Sequence, residues 1–504
     1  MDHLSGLDAA FLYLETPETP MHVGSLHVYE LPEGYAGDFV DDVRHHIATR
    51  LHLAPVFRRV LVNMPFELAN PVWAIENDVD LEYHVRSTVL PKPGGRAQLD
   101  RLVGRLHSSL LDRSRPLWEM YVIEGLASPP GKRHVGFYAK VHHASLDGAG
   151  GIALSNAMLD MGPVPREVKI APRRHGKQAE HFGIAELSAA GARHSATQLV
   201  KLARTLPTLA RVALQRLRAT PAAGATRTNW FGPRTPLNVS ITNQRSFASL
   251  SVPLAEVRHI AKVNDCTVND VVLATCAGAL RHYLADRGCV PDAPLLAGVP
   301  VSLREAGNTD MNTQASMVRI GLATTTADPL QRLAAIRESS SAAKALMASM
   351  KSVMPTDFPS LGAPWLISGI AALYGRSRLA NRIPPVANVA ISNVPGPKFP
   401  LYLAGAKMLT YYPVSIASHG IALNITVQSY NGSLDYGLTA CRRALPDVPE
   451  LAELMRGAHQ ELLRLSPVAA AEAAAPAPLK LVAKKKPAAP PRAATAPRAR
   501  RKAA

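Results

Sequence analysis

Two adjacent histidines, His142 and His143, stand just ahead of Asp147, which is followed by glycines at 148, 150 and 151. An imidazole takes and returns a proton near neutral pH, a carboxylate can orient it, and glycine lets a backbone or ligand come close. The pattern His-His-x-x-x-Asp-Gly therefore outlines an acid–base site. The competing reading is a pair of buried, hydrogen-bonded histidines beside a surface turn. That reading suits one histidine by itself better than it suits the whole pattern.

The residues before the pair show how it is held. Val135, Phe137, Ala139 and Val141 alternate with Gly136, Tyr138, Lys140 and His142, the period of a strand. Neighbouring side chains on a strand face opposite sides, so His142 and His143 cannot both address one substrate atom. His143 continues the apolar register and is expected to point inward as the base, with His142 packed or hydrogen-bonded. Asp147 either steers a ring nitrogen or pairs with a distant arginine to hold the turn. Gly148 and its neighbours allow that turn, and Ile152–Met161 reads as a helix stopped by Gly162-Pro163. Ser145 sits in no Gly-x-Ser-x-Gly elbow and reads as a turn residue.

The motif resembles the HHxxxDG motif of the acyl-CoA-dependent acyltransferase superfamily, which includes chloramphenicol acetyltransferase and peptide-synthetase condensation domains. Upstream, residues 4–20 read as a short helix ending before Pro17. Met21–Glu30 reads as a strand, Asp38–Arg50 as a helix, 55–61 and 73–85 as extended chain, and Gln98–Ser109 as a helix. Pro116–Leu126 is a further extended run, and Pro129-Pro130-Gly131 predicts that it pairs antiparallel with the histidine strand. Alternating strands and helices argue for a layered α/β domain. Leu7-Asp8-Ala9-Ala10-Phe11-Leu12-Tyr13-Leu14-Glu15-Thr16-Pro17, Met21-His22-Val23-Gly24 and Pro116-Leu117-Trp118 resemble segments of the bacterial wax ester synthase/diacylglycerol O-acyltransferase family, which includes the mycobacterial type of triacylglycerol synthase.

From about 164 to 243 the composition shifts to Ala, Arg, Thr and Pro. At 196–218 the leucines gather on one arc and the basic residues roughly opposite, with Pro207 expected to kink the helix. This connector is either a crossover helix on the protein body or a membrane-surface element. Beyond it, Leu254–Asn264, Val271–Leu284, Leu330–Lys351 and Val448–Leu465 read as helices. Leu295–Ser302, Met317–Leu322 and Val386–Ser392 read as strands, and Ser415–Ser429 and Leu434–Thr439 as a pair around Asn431-Gly432. Val268-Asn269-Asp270 and Asn393-Val394-Pro395-Gly396-Pro397 resemble further segments of the same family, as do Pro413-Val414-Ser415, His419-Gly420 and Asn424. On residue type alone, Asn269 and Asp270 are a helix cap and Asn393 is an ordinary turn residue.

At 504 residues the chain exceeds one ordinary core and predicts at least two domains. Of the net charge of +17, +8 falls in residues 466–504, which carry nine Lys or Arg, one Glu and almost nothing to bury. That Ala/Pro/Lys/Arg tail is expected to be disordered. It reads equally as a contact for anionic headgroups or nucleic acid and as a solvated solubility tail. The basic body suits phosphorylated partners. Cys266, Cys276, Cys289 and Cys441 lack zinc-type spacing, so neither a metal site nor a disulfide framework is expected, and a reducing compartment fits. The first residues carry no basic-then-apolar signal. The longest apolar run, Trp365–Tyr374, is too short to span a bilayer.

The resemblance covers residues 4–465. It implies two chloramphenicol-acetyltransferase-like α/β domains, 1–185 and 244–465, joined by the connector 186–243 into a pseudo-dimer around a central channel. It further implies transfer of a long-chain acyl group from acyl-CoA, as co-substrate, to diacylglycerol or a long-chain alcohol. His143 would be the base, supported by His142, Asp147 and Gly148, with Asn269, Asp270 and Asn393 contributed from the second half. No bound cofactor, metal or nucleic acid is expected. The place implied is the cytoplasm, with peripheral attachment to an anionic membrane or lipid-droplet surface. Other alcohols of the superfamily, such as polyketides, and a non-catalytic lipid-surface protein are the alternatives.

Overall fold

The computed structural model describes residues 2–65, 69–146, 150–169, 231–302, 315–351 and 364–467, with isolated residues between 183 and 200. The first part of the chain supplies strands β1 (Asp2–His3), β2 (His22–Glu30), β3 (Arg59–Val62), β4 (Val72–Ile75), β5 (Val85–Val89), β6 (Trp118–Glu124) and β7 (His134–His142). Its helices are α1 (Gly6–Leu14), α2 (Phe39–Ala48), α3 (Leu81–His84), α4 (Arg96–His107) and α5 (Gly150–Met158). The later part supplies β8 (Arg245–Pro253), β9 (Leu296–Ser302), β10 (Ala315–Gly321), β11 (Val389–Val394), β12 (Tyr402–Leu403), β13 (Ala406–Val414), β14 (Leu423–Tyr430) and β15 (Ser433–Cys441). Among these lie α6 (Leu254–Val263), α7 (Val268–Ala285), α8 (Pro329–Lys351), α9 (Pro364–Arg376) and α10 (Val448–Arg464).

Two six-stranded mixed sheets result, β12-β13-β2-β7-β6-β5 and β10-β9-β11-β14-β15-β8, with a small sheet β1-β4-β3. The expected antiparallel pairing of the Pro116–Leu126 run with the histidine strand is present as β6 against β7. β7 is buried on both faces, because α2 and α4 each contribute apolar side chains to one of them. Val135, Phe137 and Val141 pack with Tyr29, Phe39 and Trp118, whereas Tyr138 packs with Leu26, Leu99, Phe247 and Tyr412. Burying apolar side chains of this size contributes about 1.5–3 kcal/mol each, so β7 is a rigid platform.

The sheets do not divide along the chain. β12 and β13, near residue 400, complete the sheet that β2 begins near residue 22. β13 also lies against β15 of the second sheet, where Tyr411 N–H donates to Asp435 at 2.7 Å and Ser415 N–H to Thr439 Oγ1 at 3.1 Å. Gly437 permits this approach, since a Cβ there would stand 1.7 Å from the Pro413 carbonyl oxygen. Elements from residue 2 to Ser466 form one continuous body.

One local reading is corrected and two elements were missed. The stretch read as extended from 73 to 85 is interrupted by α3, which Asp80 caps by accepting the Tyr83 N–H at 3.0 Å. Trp365–Tyr374, read only as an apolar run, is helical within α9, and β13 was not foreseen. The tail from 468 and the connector helix, apart from Ala196, Thr197 and Val200, lie outside the described residues. Among the described residues no helix is long and apolar enough to cross a membrane, and all four cysteines are free.

Candidate active site

The two histidines sit where β7 ends, and each is fixed by a neighbouring segment. His142 N–H donates to the Leu117 carbonyl at 2.9 Å, and His143 N–H donates to the Met21 carbonyl at 2.8 Å. Pro116-Leu117-Trp118 and Met21-His22 thus clamp the pair from both sides, while Trp118 anchors its own strand by donating Nε1–H to Phe57 O at 3.2 Å. His143 does not continue the pleat. It opens a short 3-10 turn, His143–Ser145, closed by Leu146 N–H donating to His143 O at 3.1 Å. The expectation that the two rings take different surroundings holds, but the turn separates them, not strand alternation.

His142 is fully buried on the face it shares with Tyr138 and Lys140. Its Nδ1 accepts the Ala144 N–H at 3.1 Å, which assigns the ring proton to Nε2, and Nε2 faces Glu15 Oε2 at 3.3 Å. Glu15, just past α1, also accepts the Met21 N–H at 2.9 Å and the Arg113 guanidinium at 2.8 Å. Burial alone would raise this carboxyl. The facing His142 ring, the Met21 N–H and Arg113 outweigh it and hold Glu15 below its ordinary value.

His143 is half-buried and stacks on Phe11 of α1, ring centroids 3.8 Å apart and planes 18° apart. Its Nδ1 is buried with no hydrogen-bond partner among the described residues. Burial lowers its pKa to about 4, so the ring is neutral and able to accept a proton at neutral pH. Beside the pair, His22 lies opposite His142 on β2 and bonds the His107 carbonyl at 2.9 Å. His107 meets Tyr138 Oη at 2.8 Å and the Ser415 carbonyl at 3.0 Å, which ties the histidine platform to the second half of the chain. Lys140 and Glu119 form a buried pair at 3.2 Å on the His142 face, completed by Ser109 O at 2.9 Å from the lysine.

Asp147 and Gly148 lie outside the described residues. Asn269 and Asp270 lie in the first turn of α7, whose N-cap is Thr267. The cap reading holds for Asp270 alone, as the capping-box partner: Asp270 accepts the Thr267 N–H at 2.9 Å and its hydroxyl at 2.7 Å, and Asp270 N–H returns to Thr267 Oγ1 at 3.3 Å. Asn393 lies on β11 opposite Val427, within a strand, so the expectation of a turn there is corrected. α7 packs on β11, but no described contact joins Asn269, Asp270 or Asn393 to His143. Glu15, Arg113 and Phe11 went unassigned at the level of sequence. Glu15 and Phe11 lie inside the quoted N-terminal segment, but nothing in their spacing says that a helix would carry them to residues 142 and 143. No cluster of His, Cys, Asp or Glu suited to a metal occurs among the described residues.

The wax ester synthase/diacylglycerol acyltransferase catalytic-domain model matches residues 4–272, and the WS/DGAT C-terminal domain model matches 312–463. The chain belongs to this family. Among its relatives, a candidate diacylglycerol O-acyltransferase of Mycobacterium tuberculosis is 38% identical over 471 residues, covering 92% of this chain and 99% of that one. A second candidate from the same organism, tgs2, is 35% identical over 467 residues, with 92% and 99% covered. The solved wax ester synthase/diacylglycerol acyltransferase from Marinobacter aquaeolei VT8 superposes with a TM-score of 0.66 at 31% identity, covering 92% of this chain and 100% of that one. The first condensation domain of the calcium-dependent antibiotic synthetase, at 14% identity and a TM-score of 0.53 over 92% of this chain and 96% of its own, shares the fold. The fold is therefore the mixed α/β type expected, and the family is one of acyltransferases.

Proposed function

We propose that this acyltransferase moves a long-chain acyl group from acyl-CoA to the hydroxyl of diacylglycerol, and of long-chain alcohols, with His143 as general base. The observation that carries the assignment is a neutral, half-buried imidazole stacked on Phe11 at the end of a buried strand, its Nδ1 without a hydrogen-bond partner among the described residues. His143 takes the acceptor hydroxyl proton as the oxygen attacks the thioester carbonyl. The tetrahedral oxyanion collapses, the C–S bond breaks, and the CoA thiolate recovers the proton from the imidazolium. The step needs no covalent enzyme intermediate.

His142, anchored to Glu15, positions the base through the backbone they share. Asp147 and Gly148 hold the turn that follows. Asn269 and Asn393 are the proposed oxyanion donors, with Asp270 keeping the first turn of α7 in place. Acyl-CoA is the co-substrate. We assign residues 1–185 and 244–465 to two acyltransferase-like halves around a channel, joined by 186–243, with the second half lending the strands at 402–414 to the sheet of the first. The enzyme acts in the cytoplasm at an anionic membrane or lipid-droplet surface, where its neutral acceptor dissolves.

Purified protein with palmitoyl-CoA and a panel of acceptors, followed by thiol release and lipid product together, tests the reading. His143→Ala is expected to reduce turnover by about a hundredfold or more with an unchanged melt. Near-normal turnover in that variant would remove the assignment.

A further inference from the structure

The longest apolar run of the sequence plays no part in the chemistry above. It forms α9, 13 residues from Pro364 to Arg376, about 20 Å long and well short of the roughly 20 residues that cross a bilayer. Ile370, Leu373, Arg376 and Ser377 are exposed at intervals of three and four, so they share one face. Ile370 is 59% and Leu373 64% exposed, the reverse of a helix that buries its apolar stripe. The other side turns inward. Tyr374 meets the His419 ring edge-on at 6.0 Å, and a Cβ on Gly375 would stand 2.9 Å from His419 Nε2. Beyond the helix and a 3-10 turn at Leu379–Asn381, Ile383 and Val386 are exposed, beside Phe231, whose neighbour Gly232 donates its N–H to Pro385 O at 2.7 Å.

The charge around these side chains has one sign. Arg376, Arg378 and Arg382 are exposed and make no ion pair among the described residues. Between Asp357 and Asp435 the sequence holds no Asp or Glu.

We propose that the outward face of α9, with residues 382–386, docks the protein on an anionic lipid surface. Ile370 and Leu373 enter the acyl boundary, and the three arginines take headgroup phosphates. Two features select lipid over a second copy of the chain. Unpaired cations of one sign repel each other across a self-complementary contact. The helix also packs on α1, whose Phe11 stacks on His143, so the docked surface lies one helix from the proposed base. The purpose of this surface rests on the acyl-transfer reading; its existence does not.

Full-length protein is co-sedimented at low and high salt with vesicles of phosphatidylcholine alone and of phosphatidylcholine with phosphatidylglycerol. The double variant Ile370→Ser/Leu373→Ser is expected to bind both vesicle types about tenfold or more weakly, with an unchanged melt and unchanged CoA release on detergent-dispersed acceptor. Arg376→Gln/Arg382→Gln is expected to lose binding only on the anionic vesicles and to lose its salt dependence there. Unchanged vesicle binding in both variants, a lowered melt in the serine variant, or its conversion of a dimer to a monomer would each overturn the proposal. Absent CoA release from the wild type would instead strike the acyl-transfer reading and leave the vesicle result standing.

Discussion

At His143 a histidine with its pKa lowered to about 4 gives a distinctive pH profile. The neutral ring is the active form, so kcat/KM is expected to stay flat from about pH 8 down to about pH 5, where an unshifted histidine would already be mostly protonated. An acid limb centred near pH 6.5 would contradict the burial that the Phe11 stack imposes. Stability behaves differently over the same range. His22, His27, His107 and His143 all titrate below their ordinary value in the folded chain, chiefly through burial. The unfolded chain therefore binds protons first as pH falls through about 6.5, and each such group takes away about 1.4 kcal/mol per pH unit until its folded pKa is reached. Asp100, pushed up to about 6 by burial, and Asp435, raised by burial too, work in the opposite sense, but they stand against these four histidines and against His46, His84 and His419, which burial also lowers. Glu15 is the other residue on which the site turns. Glu15→Gln keeps an acceptor for His142 and is expected to lower kcat by about tenfold while KM stays within about twofold. Glu15→Ala leaves His142 without that partner and should also lose about 1–3 kcal/mol in a denaturant melt. Equal kinetics in the two variants would show that the carboxylate does not position the base.

Between the residue and the whole lies the junction of β7 with the turn at His143–Ser145, which leads directly toward Asp147. If Asp147 holds that turn, Asp147→Asn lowers the melting temperature together with activity. An inactive variant with an unchanged melt would make it an orienting group instead. Much at this scale was legible in the chain itself. Strict alternation through Val135–His142 announced β7, Pro-Pro-Gly announced its pairing with β6, and Asp270, read as part of a helix cap, announced the start of α7. The end of β7 was not legible, because His143 fits the strand register and only the Met21 carbonyl and the following turn draw it away. β13 escaped for a related reason: Lys407, Thr410, Tyr411 and Tyr412 do not alternate cleanly, since a register shift between Met408 and Thr410 breaks the period. The Glu15–His142 pairing joins residues more than a hundred positions apart, beyond the reach of any local pattern.

At the scale of the molecule, the family matches run from residue 4 to residue 463, and the sheet that carries the histidine strand is completed by chain from near residue 400. β2 pairs with β7 on one side and with β13 on the other, and these partners reach it at very different times. A ribosome adding about 5–20 residues per second delivers β7 about 6–22 s after β2, but β13 only after a further interval more than twice as long, about 14–54 s. During that wait β2 is an unprotected edge with a row of open N–H and C=O groups, a template for pairing with the wrong chain. The cost is one of timing, and it sets a limit on dissection. A fragment ending at residue 243 is expected to collect in the insoluble fraction, whereas co-expression with 244–504 should return soluble, acyl-transferring complex, because the second fragment carries the missing edge. Soluble, monomeric 1–243 by itself would mean that β2 is shielded without β13. For this enzyme the birth order of its strands makes the nascent chain, more than the finished one, dependent on protection.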